Sequence, residues 1–139
     1  MINILLVEDD DVDVMNVQRA FRKGNISNPL FVARNGLEAL DILRAQTSEG
    51  PVIPPERRLI LLDLNMPKMG GIEFLHVLRA DPKLKAIPVV VLTTSNADQD
   101  RLSAYNLNIA GYLLKPVTFG AFVEAMLTLN KYWALCEMP

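Results

Sequence analysis

Glu8-Asp9-Asp10, Asp63, Thr93-Thr94-Ser95 and Lys115-Pro116 each stand directly after a short apolar run: Ile4–Val7, Leu59–Leu62, Val89–Leu92 and Tyr112–Leu114. These are carboxylates, hydroxyls and an ammonium, the group types that phosphoryl transfer uses. A carboxylate attacks phosphorus and holds the phosphoryl group covalently. Because the attack brings two anions together, the transition state needs positive charge on the phosphoryl oxygens and an aligned donor. Asp63, after the run expected to be most central, is the candidate nucleophile. Lys115 and a cation held by Asp9 and Asp63 are the candidate positive charges, and Thr93 the candidate hydroxyl.

Residues so far apart in sequence meet only if the fold gathers them. In an open parallel α/β sheet, functional groups collect in the crevice outside the carboxyl ends of the strands. The chain alternates short apolar runs with helical patterns, as βαβ units do. Strands are expected at Asn3–Val7, Leu30–Ala33, Leu59–Leu62, Val89–Leu92 and Gly111–Leu114, and their near-continuous apolar character predicts burial on both faces. Val14, Val17 and Phe21 mark a first helix that Gly24-Asn25 stops; Leu37, Leu40 and Leu43 mark a second, after Asn35-Gly36. A third is expected over Gly71–Ala80, ended by Asp81-Pro82, and a fourth, weakly apolar, over Ala97–Asn106. Thr118 is placed to cap a fifth that runs to about Tyr132. Residues 46–58, with Gly50, Pro51, Pro54 and Pro55, read as an irregular surface loop.

The 139 residues, half of them apolar, suffice for a single domain with a core that needs no disulfide or structural metal. A net charge of −2 argues against a nucleic-acid surface, which requires clustered Lys and Arg. No stretch reaches the roughly 20 apolar residues of a membrane span. The N-terminus lacks a signal-peptide pattern, and the lone Cys136 fits a reducing compartment, so a cytoplasmic protein is expected. No helix-turn-helix output module is expected after the fifth helix.

Glu8, Asp9 and Asp63 at adjacent strand ends would crowd like charges, raising carboxyl pKa values unless a cation is present. Hard oxygen donors favour Mg²⁺, Mn²⁺ or Ca²⁺ over zinc. Each residue also has a simpler role: Asp9, Asp10, Asp11 and Asp13 favour a helix N-terminus, Asp63 caps a turn, and Lys115 is one of fourteen basic residues. The shared layout outweighs these. Lys115-Pro116 is the more informative pair, since proline restricts the lysine to extended backbone and favours a cis bond that aims the side chain inward.

Val7-Glu8-Asp9-Asp10, Leu61-Leu62-Asp63-Leu64-Asn65-Met66-Pro67, Gly70-Gly71, Leu92-Thr93-Thr94 and Gly111-Tyr112-Leu113-Leu114-Lys115-Pro116 resemble the receiver domain of bacterial two-component response regulators, in order and over nearly the whole chain. The resemblance implies a (βα)₅ flavodoxin-like fold with parallel strand order 2-1-3-4-5. It implies residues 1–139 as one receiver domain, with about 130–139 as a C-terminal extension. It also implies Mg²⁺-dependent phosphoryl transfer from a sensor histidine kinase to Asp63, the chain being a phosphoacceptor rather than an enzyme. Asp9 resembles the direct metal ligand, Glu8 a ligand through water and Asn65 a ligand through its backbone carbonyl. Thr93 resembles the switch hydroxyl, Lys115 the phosphate-contacting lysine, and Tyr112 the aromatic that turns on activation. Glu8 stands where many members have aspartate. A closer likeness is to small regulators of cyanobacterial and bacterial phytochrome kinases, carried by the proline-containing loop, Val91-Leu92-Thr93-Thr94-Ser95 and Tyr132-Trp133. Red-light signalling follows from that likeness alone.

Between Thr118 and Leu135 the charged side chains are Glu124 and Lys131 only, although a helix on a sheet face should have a polar outer side. Phe122, Met126, Leu129 and Trp133 follow a packing stripe. With Tyr112 they are expected in a symmetric homodimer interface of the fourth and fifth helices, fifth strand and tail. His76 reads as an ordinary helix residue. The competing readings are an aspartate-nucleophile phosphatase, a flavodoxin-type nucleotide binder and an unphosphorylated scaffold. The first expects an acid at Asn65, and the second a phosphate loop where the chain places acids.

Overall fold

The computed structural model describes residues 1–45 and 52–139. Its elements follow in strict alternation: β1 Asn3–Val7, α1 Asp11–Lys23, β2 Leu30–Ala33, α2 Gly36–Leu43, β3 Arg58–Leu62, α3 Gly71–Ala80, β4 Val89–Thr93, α4 Asp98–Asn106, β5 Gly111–Leu114 and α5 Phe119–Leu135. The strands form one parallel sheet in the order β2-β1-β3-β4-β5.

Strand alternation divides the core into two layers. Leu5, Val7, Ile60, Leu62, Val89 and Val91 face one side, against Leu40, Phe74, Leu75 and Leu78 of α2 and α3. Ile4, Leu6, Leu59, Leu61, Val90 and Leu92 face the other, against Val14, Val17 and Phe21 of α1 and Phe122, Met126 and Trp133 of α5. Every residue of β1, β3 and β4 is buried, as their apolar runs predict, whereas the edge strands β2 and β5 are only half covered.

The helix ends follow local chemistry. Asp10 accepts from the Val12 and Asp13 N–H groups, Asn35 from Glu38 and Thr118 from Ala121, each satisfying orphan donors of a first turn. After α1, Asn25 takes a left-handed φ of 54°. Gly24 serves packing instead: a Cβ there would lie 2.6 Å from Leu127 Cδ2, so the glycine lets α5 approach α1.

Several expectations shift. The Lys115–Pro116 bond is trans, so the lysine reaches the acids without a cis bond. Of the expected surface loop, residues 46–51 lie outside the described residues, but the remainder is partly interior. Ile53 is in the core, and the buried Arg58 guanidinium donates to the carbonyls of Pro54, Leu43 and Ile53, which starts β3 one residue early. α5 continues to Leu135 because Trp133 is a core residue, 1% exposed, stacked at a tilt 6.2 Å from Phe21. Phe122 and Met126 are likewise buried within the chain. Those three expected interface residues therefore stabilise the α1–α5 layer and offer no free surface. Leu129 is half-buried beside them. No helix among the described residues is long and apolar enough to cross a membrane.

Candidate functional site

Register places the site. β1 pairs with β3 so that Val7 lies beside Leu62, and the Asp63 N–H donates to the Val7 carbonyl at 3.0 Å. Glu8, Asp9 and Asp63 therefore emerge side by side, each offering a carboxylate oxygen within 4.8 Å of the others. On the other flank the Lys115 N–H donates to the Thr93 carbonyl at 2.8 Å, which holds the start of the β5–α5 loop against the end of β4. Behind Asp63, α3 begins at Gly71, where a Cβ would sit 2.6 Å from the Asp63 carbonyl oxygen. A side chain at Gly71 is incompatible with this close approach to the strand end.

Lys115 joins the acids. Its Nζ lies 2.6 Å from Glu8 Oε2, 2.9 Å from Asp13 Oδ2 and 3.8 Å from Asp63 Oδ2. Burial pushes the Glu8 carboxyl up to about 7 from 4.5, against the opposing Lys115 hydrogen bond and with a further push from the Asp63 charge. For Lys115, burial pulls the ammonium down, but hydrogen bonds to Glu8 and Asp13 and the Asp63 charge prevail, leaving it above its ordinary value. Asp63 Oδ1 is buried and has no hydrogen-bond partner among the described residues. A buried oxygen left bare is costly unless something positive engages it.

These residues fit a hard divalent cation. The donors are all carboxylate oxygens, one of them bare, while Asp9 is exposed and leaves the mouth open to the waters that Mg²⁺ retains. Asn65 lies two residues beyond Asp63 in the β3–α3 loop, exposed. Thr93, fully buried, accepts the Ser95 N–H on Oγ1 at 3.2 Å. The half-buried Tyr112 hydroxyl donates to the Ser95 carbonyl at 2.9 Å, with the Arg101 guanidinium 5.7 Å over its ring, so Tyr112 ties β5 to the loop leading into α4.

The arrangement is an anionic pocket of three carboxylates with one engaged ammonium and a bare carboxylate oxygen on Asp63. The family model of the response regulator receiver domain matches residues 4–127. The chain belongs to this family. Response regulator Rcp1 of Synechocystis sp. is 38% identical to this receiver over 130 residues, covering 94% of this chain and 87% of the relative. Among solved structures, the phosphorylated cyanobacterial phytochrome response regulator RcpA superposes with a TM-score of 0.86 at 33% identity, over 99% of this chain and 97% of that one. The Mn²⁺-bound form of response regulator Rcp1 superposes with a TM-score of 0.85 at 35% identity, over 100% and 99%. The receiver is thus a two-component signalling domain, related to phytochrome response regulators.

In sequence, Asp13 is only one of several acids at a helix start. Its contact with Lys115 depends on how α1 lies beside the β5–α5 loop, a tertiary relation that spacing along α1 does not carry. His76 lies on α3, exposed and away from the pocket.

Proposed function

We propose that this receiver accepts a phosphoryl group from a histidine kinase onto Asp63 in a Mg²⁺-dependent reaction. The observation that carries the reading is the bare, buried Asp63 Oδ1 at the end of a central strand, beside Lys115 and two further carboxylates. Glu8, Asp9 and Asp63, with the Asn65 carbonyl, would hold the cation, which supplies charge neutralisation at the phosphoryl oxygens. A carboxylate oxygen of Asp63 forms the bond to phosphorus as the bond to the phosphohistidine nitrogen breaks, and the electron pair leaves with the imidazole. Lys115 then offers a donor to a phosphoryl oxygen, and the Thr93 hydroxyl offers a second. Tyr112, already bonded to the Ser95 carbonyl, would carry the change at Thr93 towards β5 and α4.

The likeness to RcpA and Rcp1 supports a kinase of phytochrome type, and so red-light signalling, as the input. The chain acts as one domain, residues 1–139, in the cytoplasm, as a phosphoacceptor rather than an enzyme. It associates through the α4–β5–α5 face, where Leu102, Tyr105, Leu114, Tyr132 and Leu135 are exposed. In the test, a radiolabelled, autophosphorylated histidine kinase is mixed with the receiver and Mg²⁺. Label labile to alkali and hydroxylamine is expected to pass to the parent and not to Asp63→Asn; equal label on both would refute the assignment.

A further inference from the structure

Asp13 is the one partner of Lys115 that the phosphoryl-transfer scheme leaves without a role. Its position on α1 invites a capping function, being the third residue after the Asp10 cap, where an acid can reach back to the cap N–H. That donor is already taken: the Asp10 N–H goes to Glu8 Oε1 at 3.1 Å. The Asp13 carboxylate turns instead to Lys115 Nζ, 2.9 Å away and 102 residues along the chain.

The consequence lies in how an ammonium shares its donors. Lys115 has three N–H groups; one reaches Glu8 and one Asp13, while Asp63 Oδ2 at 3.8 Å is beyond hydrogen-bond range. The third N–H is not engaged among the described residues, but the two bonds hold the ammonium to Glu8 and Asp13, outside hydrogen-bond range of Asp63 Oδ2. Of the two tethers, the Glu8 side chain is 3% exposed and the Asp13 side chain 35%. Only Asp13 can return to water at small cost when the ammonium leaves it.

We infer that Asp13 is a positioning residue that holds Lys115 in a resting contact, one that competes with a phosphoryl oxygen on Asp63 for the ammonium. This rests on the phosphoacceptor reading. In the transfer itself, Asp63 forms the oxygen–phosphorus bond as the donor's bond to phosphorus breaks and its electron pair departs with the leaving group. Lys115 moves from the Asp13 oxygen to the incoming phosphoryl oxygen without losing a proton. Asp13 therefore opposes phosphorylation by competing with the incoming phosphoryl oxygen for the ammonium, an effect that requires Lys115.

The test is the rate of phosphorylation by acetyl phosphate with Mg²⁺ in Asp13→Asn, Asp13→Glu and the parent, each repeated with Lys115→Met. Losing a partly exposed ion-pair contact is expected to raise the D13N rate about fivefold, with D13E close to the parent and the gain absent in the K115M background. Where K115M reacts too slowly to time, beryllium trifluoride with Mg²⁺ replaces the donor. D13N should then bind this phosphoryl analogue about fivefold more tightly with Lys115 present and no more tightly in the K115M background. A D13N rate equal to or below the parent's, or a gain that persists without the lysine, overturns the inference. Absence of label on the parent overturns instead the assignment of Asp63.

Discussion

Replacing Lys115 by methionine removes the ammonium that touches Glu8, Asp13 and Asp63 while keeping much of the side-chain volume. Removing one partner of a buried ion pair costs about 3 to 5 kcal/mol. The lower end applies here, because Asp13 is partly solvated and the exposed Asp9 opens the pocket to water, so a loss of about 3 kcal/mol is expected at pH 8 without metal. The loss must depend on pH through Glu8. In the folded parent this carboxyl titrates at about 7 against 4.5 when unfolded, so the folded state binds the proton more tightly. Stability therefore falls as pH rises from 4.5 through 7 and levels off above. Without the ammonium that holds it down, Glu8 moves higher still, and the fall continues to higher pH. At pH 6 the carboxyl is largely neutral in both proteins and the deficit shrinks to roughly 1 kcal/mol. Mg²⁺ at a hundredfold its dissociation constant should add about 2.7 kcal/mol of stability by mass action. Urea unfolding followed by circular dichroism, in EDTA and in Mg²⁺ at both pH values, reads all of this. A K115M protein as stable as the parent at pH 8 in EDTA, or a deficit larger at pH 6 than at pH 8, would refute the reasoning.

Three further outcomes are expected. Gly71→Ala should lower stability by about 2 kcal/mol and slow phosphorylation, since the new Cβ meets the Asp63 carbonyl and Leu64 Cα, backbone that cannot swing aside; urea melts and acetyl phosphate kinetics check both. Trp133→Ala should cost about 3 to 5 kcal/mol of unfolding free energy, and the parent's tryptophan emission should resist iodide quenching, because the ring is buried against Phe21. Leu135→Glu, at a site 86% exposed, should leave the unfolding midpoint unchanged and weaken self-association in light scattering, if the α4–β5–α5 face joins two copies.

Much of this was readable in the residues because several constraints agreed. The apolar runs of β1, β3 and β4 are buried on both faces, so their ends had to be the rim of the sheet, and Glu8, Asp63 and Thr93 had nowhere else to go. Asp10, Asn35 and Thr118 cap helices as their types predict. What sequence hid was tertiary. Trp133 looked terminal and exposed, yet Gly24 lets α5 approach α1 closely enough to bury it. Arg58 fell at the end of the expected surface loop, yet three carbonyls at the end of α2 and in the following loop satisfy its guanidinium inside. Asp13 resembled its acidic neighbours until the position of Lys115 set it apart.

The most direct test of the central claim is peptide mapping of the receiver after exposure to acetyl phosphate, with Mg²⁺ in one sample and excess EDTA in the other. One phosphoryl group is expected, on the peptide carrying Asp63 and only in the Mg²⁺ sample. A phosphoryl group on another residue, or one on Asp63 that forms equally well in EDTA, would contradict the claim.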